Sequence, residues 1–387
     1  VKYRHETFGG IIASEDPPFL AFVDRQFMRQ QGLGESPRWQ GADERVGLLS
    51  APTEVHLAAT GECPVRCPHC YMDSGQRVPG ELDSASFRRA LRVLAGMRVF
   101  HVALGGGEAL VRPDIFELAG YARELGLVPN LTISGAVMSP QMARRMTVFG
   151  QVNVSLDGVG RGHGAFRDPQ LFLRADAAIR ALVDAGVPTG INCVLGRDNF
   201  GELPGLFDYG RRRGVNELEF LRLKPVGRGR RAYAAHKTTA EQNLALTPLL
   251  ARLSQASGLT AKIDCSFVPM MCHHRPPPEL LEATATYGCE AGNVLVGVDS
   301  AGTVHGCSFL GGAGMPLWEL PARWERDPRL QWLRSWPERA PEPCRSCAYL
   351  QLCKGGCHAV AEFVCGDAQA PDPDCPGVVA QRRAAAP

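Results

Sequence analysis

The chain is 387 residues long, 45% apolar, with a formal net charge of +2. That length suffices for a barrel-sized domain and a smaller one with a filled core in each, while the near-neutral charge argues against nucleic acid as the main partner. No uninterrupted apolar stretch reaches the length of a membrane span and no signal peptide is evident, so a soluble, cytoplasmic protein with no membrane partner is expected, and the clustered spacings among its 14 cysteines read as metal sites rather than disulfides.

Residues 1–50 contain a strand-like stretch at 8–12, a turn at 16–18 and a helical pattern over 19–31 that sets Phe19, Phe22, Val23 and Phe27 on one face. Alone this segment is too small for a core and must pack on something else. From Thr53 onward strands and helices alternate. The strands are expected near 53–60, 99–105, 128–134, 151–157, 187–195 and 217–224, and the helices near 83–97, 114–126, 139–148, 170–185, 202–213 and 241–256. Six successive βα units imply a parallel sheet, so the predicted fold class is α/β: a partial (β/α)6 barrel of TIM-like kind over residues 51–257. The basic runs 211–213 and 228–231 read chiefly as solvated faces. Residues 258–380 turn to cysteine, glycine and proline, with one clear hairpin of strands 294–298 and 303–305 around a turn at 299–302. Long apolar periods are too few there for packing alone, so bound metal clusters are expected to stabilise the region. Residues 381–387 read as a tail, disordered at 384–387.

Ten cysteines fall into two patterns. The first, Cys63-x3-Cys67-x2-Cys70 followed by Tyr71, lies just past the first barrel strand. Three thiolates in one tight loop hold three irons of a [4Fe–4S] cube and leave the fourth iron without a protein ligand, as a cluster doing chemistry on a bound molecule requires. This spacing resembles the signature of radical S-adenosylmethionine (SAM) enzymes. The resemblance implies that the open iron chelates SAM, and that reductive cleavage gives a 5′-deoxyadenosyl radical able to take hydrogen from an unactivated position, with a reductant such as flavodoxin or ferredoxin as partner. It also implies cofactor contacts. Gly106, Gly107 and Glu108, after the second strand, match the motif that takes the SAM ammonium. Ser134 stands at the end of the third strand, where the family usually carries Asn. Ser155 and Asp157 end the fourth strand and would meet the ribose or carboxylate end of SAM, with Asn192 and Arg222 as further contacts. His69 replaces the usual aromatic and Tyr71 follows, so either could meet the adenine.

The second pattern runs Cys289-x12-Gly302-x4-Cys307, then Cys344-x2-Cys347-x5-Cys353-x3-Cys357-x17-Cys375. It resembles the SPASM domain, which carries two auxiliary [4Fe–4S] clusters, giving three in all. By that resemblance Cys344, Cys347, Cys353 and Cys375 close the outer auxiliary cluster, and Cys289, Cys307 and Cys357 hold the inner one. Many relatives add an inner cysteine a few residues after the first, but positions 290–300 have none. The inner cluster then has an open iron, or takes a ligand from Cys265, Cys272, His273, His274 or Cys365.

Most SPASM proteins resemble maturases of ribosomally made peptides or of protein side chains, and a smaller set decarboxylates porphyrins. Residues 3–11 with the amphipathic segment behind them look like part of a module that binds a leader peptide by strand addition; the other reading is a plain N-terminal cap on the barrel. The expected function is therefore crosslinking or oxidation of a precursor peptide at an unactivated carbon. The alternatives are a tetrapyrrole decarboxylase, whose propionates the arginine runs would hold, and a non-catalytic iron–sulfur electron-transfer protein.

Overall fold

The computed structural model describes residues 1–41 and 46–385. Strands β1 (Lys2–Glu6), β2 (Gly9–Glu15) and β3 (Pro18–Asp24) form an antiparallel sheet in that order, and helix α1 (Arg25–Gln30) follows. The helix expected from Phe19 is thus a strand for most of its length. Its apolar residues are two-faced: Leu20 and Phe22 pack with Ile11, Leu49 and Phe100, while Ala21 and Val23 pack with Ile12, Met28 and Trp39. Apolar residues on both faces of a strand mimic a helical stripe when read along one chain. Phe19 and Phe27, assigned to the buried stripe, are 39% and 37% exposed. Buried Arg4 fastens this sheet to the rest of the protein, donating to the carbonyls of Ala51 at 2.6 Å and Pro52 at 2.9 Å while pairing with Glu6 at 2.6 Å.

The main body alternates β4 (Glu54–Thr60), α2 (Ser84–Gly96), β5 (His101–Gly106), α3 (Ile115–Glu124), β6 (Val128–Ile133), α4 (Pro140–Ala143), β7 (Val152–Ser155), α5 (Leu171–Asp184), β8 (Thr189–Leu195), α6 (Leu203–Arg213) and β9 (Glu217–Arg222). Helices α7 (Gly229–His236) and α8 (Ala240–Ser257) then lead to β10 (Thr260–Ile263). Only the helix expected at 139–148 breaks, into α4 and the 3-10 turn Arg144–Val148. Strand alternation sets the layers: Val55, Leu57, Val102, Leu104, Val152 and Val154 face the helices, meeting Phe87, Leu91 and Leu118 in one core. The opposite face carries polar residues such as Glu54, His56, Asn153 and Glu219.

The sheet order is β10-β9-β8-β7-β6-β5-β4-β11-β12-β13, with β11 (Leu295–Val298), β12 (Thr303–His305) and β13 (Met315–Pro316). The expected α/β sheet is present, and it is wider than six strands: β10 runs parallel beside β9, and β11 parallel beside β4. The predicted hairpin is therefore β11–β12, inside the same sheet. Contrary to the expectation of little apolar packing past 258, Val296, Val304, Leu320, Trp324 and Leu330 belong to the main core. Helix Pro376–Ala385 takes in most of the expected tail, whose positions 386–387 lie outside the described residues. Among the described residues no helix is long and apolar enough to cross a membrane.

Candidate functional site

Strand β4 delivers the chain to a loop at the C-terminal rim of the sheet, and this loop carries half-buried Cys63, Cys67 and Cys70. Its backbone is held from two sides. Cys63 N–H donates to the Gly75 carbonyl at 2.9 Å, and Arg228 donates through Nε to the Cys67 carbonyl at 2.8 Å and through Nη1 to the Ser74 carbonyl at 2.8 Å. Burial pushes the Cys63 and Cys67 thiols up, away from the thiolate. A bound metal reverses that preference, because thiolate is the ligand form.

The rim of β5 is welded to the same loop. Gly107 N–H donates to the Thr60 carbonyl at 2.7 Å and Glu108 N–H to the Glu62 carbonyl at 2.8 Å. Both glycines are sterically required: a Cβ on Gly107 would lie 2.0 Å from the Glu62 oxygen, and one on Gly106, at φ +111°, 2.5 Å from the Thr60 oxygen. Glu108 beyond them is 1% exposed. Its Oε2 accepts from the Ser134 N–H at 2.9 Å and from the Ser134 hydroxyl, whereas buried Oε1 has no hydrogen-bond partner among the described residues. Burial pushes this carboxyl up, against the pull of the Ser134 hydrogen bonds. A buried carboxylate oxygen without a partner is costly unless a cation completes it, and the SAM ammonium is such a cation. The residues present therefore fit the cofactor.

Tyr71 turns its ring onto Phe309, centroids 4.9 Å apart, and its phenol is pushed up to about 12 by burial. It lines a cavity of about 400 Å³, open mouth included, together with His56, Gly105, Gly106, His305 and Ser308. Ser155 and Asn192 stand side by side in the register of β7 and β8, and Asn192 Oδ1 accepts from Asn153 Nδ2 at 2.7 Å.

Asp157 and Arg222 are placed differently from the sequence expectation. Asp157 is fully buried and faces Arg167, whose Nε donates to it at 2.6 Å, while its other oxygen accepts the Val194 N–H at 2.8 Å. Burial alone would raise this carboxyl, but the Arg167 charge holds it below its usual range. Arg167 also donates through Nη1 to Cys67 Sγ at 3.5 Å and approaches His69 Nε2 at 3.4 Å through Nη2. His69 Nδ1 lies 3.0 Å from the Phe166 carbonyl, so Nδ1 carries the proton, and burial and then Arg167 lower the ring to about 4. His69 is neutral at pH 7 and packs behind the loop. Arg222 is engaged by Asp372 at 2.6 Å and Asp374 at 2.8 Å, which ties β9 to the C-terminal region. Arg167 and Arg228 are the residues that sequence reading missed. Arg167 stood in no motif, and Arg228 was hidden in a basic run.

Cys344, Cys347, Cys353 and Cys375 line one cavity, with Cys272, Tyr349 and Gly355 completing its wall. Cys289, Cys307 and Cys357 lie within electrostatic range of one another. Among the described residues no three His, Cys, Asp or Glu side chains close to the spacing of a single-ion site.

An open parallel sheet with a three-cysteine loop, a glycine-backed glutamate and an unsatisfied carboxylate at its rim defines an enzyme that cleaves SAM at an iron–sulfur cluster. Residues 58–209 match the radical SAM superfamily, and the chain belongs to it. It is 32% identical to mycofactocin maturase MftC of Mycobacterium ulcerans (strain Agy99) over 84% of this chain and 88% of that one. The AdoMet-dependent heme synthase of Methanosarcina barkeri (strain Fusaro / DSM 804) is 28% identical over 85% and 98%, and the PqqA peptide cyclase of Methylobacterium sp. (strain 4-46) 30% identical over 84% and 86%. Among solved structures, Streptococcus suis SuiB bound to its precursor peptide SuiA superposes with a TM-score of 0.73 over 97% of this chain and 98% of that one; at 17% identity this likeness is one of fold.

Proposed function

We propose that this protein is a peptide maturase: a radical SAM enzyme that acts on a ribosomally made precursor peptide at an unactivated carbon. When bound, the reduced cluster and SAM supply the 5′-deoxyadenosyl radical. Cys63, Cys67 and Cys70 would hold the cluster, Glu108 positioned by Ser134 would hold the SAM ammonium, and Tyr71, Ser155 and Asn192 would line the space beside it. The single observation that carries this reading is the orphaned Oε1 of Glu108 beside the three-cysteine loop. An electron-transfer protein has no use for it. Two further [4Fe–4S] clusters would sit on Cys344, Cys347, Cys353 and Cys375 and on Cys289, Cys307 and Cys357, with flavodoxin or ferredoxin as reductant.

Two features favour a peptide over a porphyrin. Residues 1–41 form a separate small sheet in which β3 pairs only with β2 among the described strands, leaving an edge on which an extended peptide can add. Four of the arginines proposed to grip propionates are otherwise engaged: Arg211 and Arg212 pair with Asp208, Arg213 with Asp176, and Arg228 with Asp73 and the cysteine loop. The test is anaerobic incubation with SAM, a reductant and a short peptide encoded beside the gene. A mass change in the peptide with 5′-deoxyadenosine formed supports the reading, and turnover of a porphyrin propionate instead overturns it.

A further inference from the structure

Cys289, Cys307 and Cys357 are one thiol short of a closed cube, and five residues of this chain compete for the fourth place. The fold separates them. Cys272 lines the other cavity and is hydrogen-bonded to Cys353. His274 meets the Leu244 carbonyl at 3.0 Å and packs edge-on against His273. Cys365 ends the helix His358–Cys365, where its sulfur accepts from Arg382 at 3.3 Å. Cys265 is different, because its turn is tied to the Cys357 loop: Arg222 Nη1 donates to the Ser266 carbonyl at 3.1 Å and to Asp372 at 2.6 Å, and Asp372 accepts the Cys357 N–H at 2.9 Å.

The sequence puts it there through β10, the strand that sequence reading passed over. Pairing of β10 with β9 carries the chain to the C-terminal rim, and Asp264 then pins the next turn. Asp264 accepts from the Arg222 N–H at 3.0 Å, from Lys224 Nζ at 2.8 Å and from the Ser266 N–H at 2.8 Å, which fixes the 3-10 turn Cys265–Phe267. Cys265 is exposed rather than packed into the core. Lys224, itself buried, sets a positive charge near Cys265, Cys357 and Cys307, as a net-negative thiolate cluster needs.

We propose that Cys265 is the fourth protein ligand of the inner auxiliary cluster, so that this cluster has no open iron and serves electron transfer rather than substrate coordination. This rests on the reading of Cys289, Cys307 and Cys357 as cluster ligands. A cube closed by four cysteines passes electrons without offering a coordination site.

The test uses the full chain in a background with Cys63, Cys67 and Cys70 changed to Ala, reconstituted anaerobically, so that only auxiliary clusters report. That parent should hold about eight irons. Adding Cys265→Ala should drop the count by between about one and about four irons, or make the electron paramagnetic resonance of the reduced protein shift on addition of cyanide, to which the parent is inert. Cys265→Ser, which keeps the volume, should retain the cluster with an altered spectrum. Cys272→Ala should leave the inner signal unchanged. Iron count and spectrum identical to the parent in both Cys265 variants, with no response to cyanide, would overturn the assignment. A parent holding about four irons or fewer would instead bring down the two-cluster reading on which it rests, and the two failures are told apart by the parent alone.

Discussion

Arg167 donates to the sulfur of Cys67 across 3.5 Å while its Nε is locked to Asp157 at 2.6 Å. The ligand sulfur therefore faces a buried cation whose geometry is set by a fully buried carboxylate. A cation beside a thiolate ligand favours the more negative, reduced cluster. Replacing Arg167 by Met together with Asp157 by Asn removes both charges, leaves no unpaired buried ion, and should lower the potential of this cluster by the equivalent of about 1.5 kcal/mol, the lower end for a hydrogen bond to a charged group. Arg167→Met alone strands Asp157 and should also destabilise the fold by about 3 to 5 kcal/mol. A redox titration followed by electron paramagnetic resonance reads the first effect and thermal melting the second. An unmoved potential in the double variant would show that Arg167 merely packs the loop.

Glu108→Gln exchanges a charge-assisted bond to the SAM ammonium for a neutral one and should weaken SAM binding by on the order of 1.5 to 3 kcal/mol. Ser134→Ala removes one of the two donors that fix Glu108 Oε2 and should cost roughly 1 kcal/mol of the same affinity. Calorimetry on the reconstituted protein measures both. Wild-type affinity in Glu108→Gln would reject the role assigned to the orphaned oxygen.

The parallel sheet was legible because Val55, Leu57, Val102 and Leu104 repeat with period two against helices whose apolar residues repeat at 3.6. Strand β3 was not, because Leu20 and Phe22 pack one way while Ala21 and Val23 pack the other. The cysteine loop and Glu108 stood out in the sequence because their spacing is local. The ion pair of Arg222 was not legible for the opposite reason: its partner Asp372 lies 150 residues away, and no local pattern announces an ion pair of that span.

Glu219 gives a pH signature. Burial, with Glu54 and Glu217 adding like charge, pushes its carboxyl from 4.5 up to about 7. The folded state then binds more protons than the unfolded one between those values, so the contribution to stability is fully present below about 4.5 and is lost as pH rises through about 7. Glu219→Gln cannot ionise. It should match wild type near pH 4.5 and exceed it at pH 8 by up to roughly 3 kcal/mol in chemical denaturation. Parallel curves for the two proteins across this window would place the titration elsewhere.

The edge of β3 tests the peptide reading without removing residues 1–50, whose deletion would also strip Arg4 from the carbonyls of Ala51 and Pro52 and Phe8 and Ile11 from Leu49 and Phe100. Along an edge strand, N–H groups alternate between the neighbouring strand and the open side. Proline abolishes one N–H at a time and is tolerated where that N–H points outward. Proline scanned singly over Leu20, Ala21, Phe22 and Val23 should therefore split into two alternating sets. Proline at positions bonded to β2 should lower the melting temperature. At the outward positions it should leave melting and uncoupled 5′-deoxyadenosine formation near wild type, yet weaken precursor binding by about 1 kcal/mol per lost backbone bond. Fluorescence anisotropy of a labelled precursor peptide reads the second set. If both sets bind it as wild type does, the leader is recognised elsewhere and β3 is only the outer strand of a cap on the barrel.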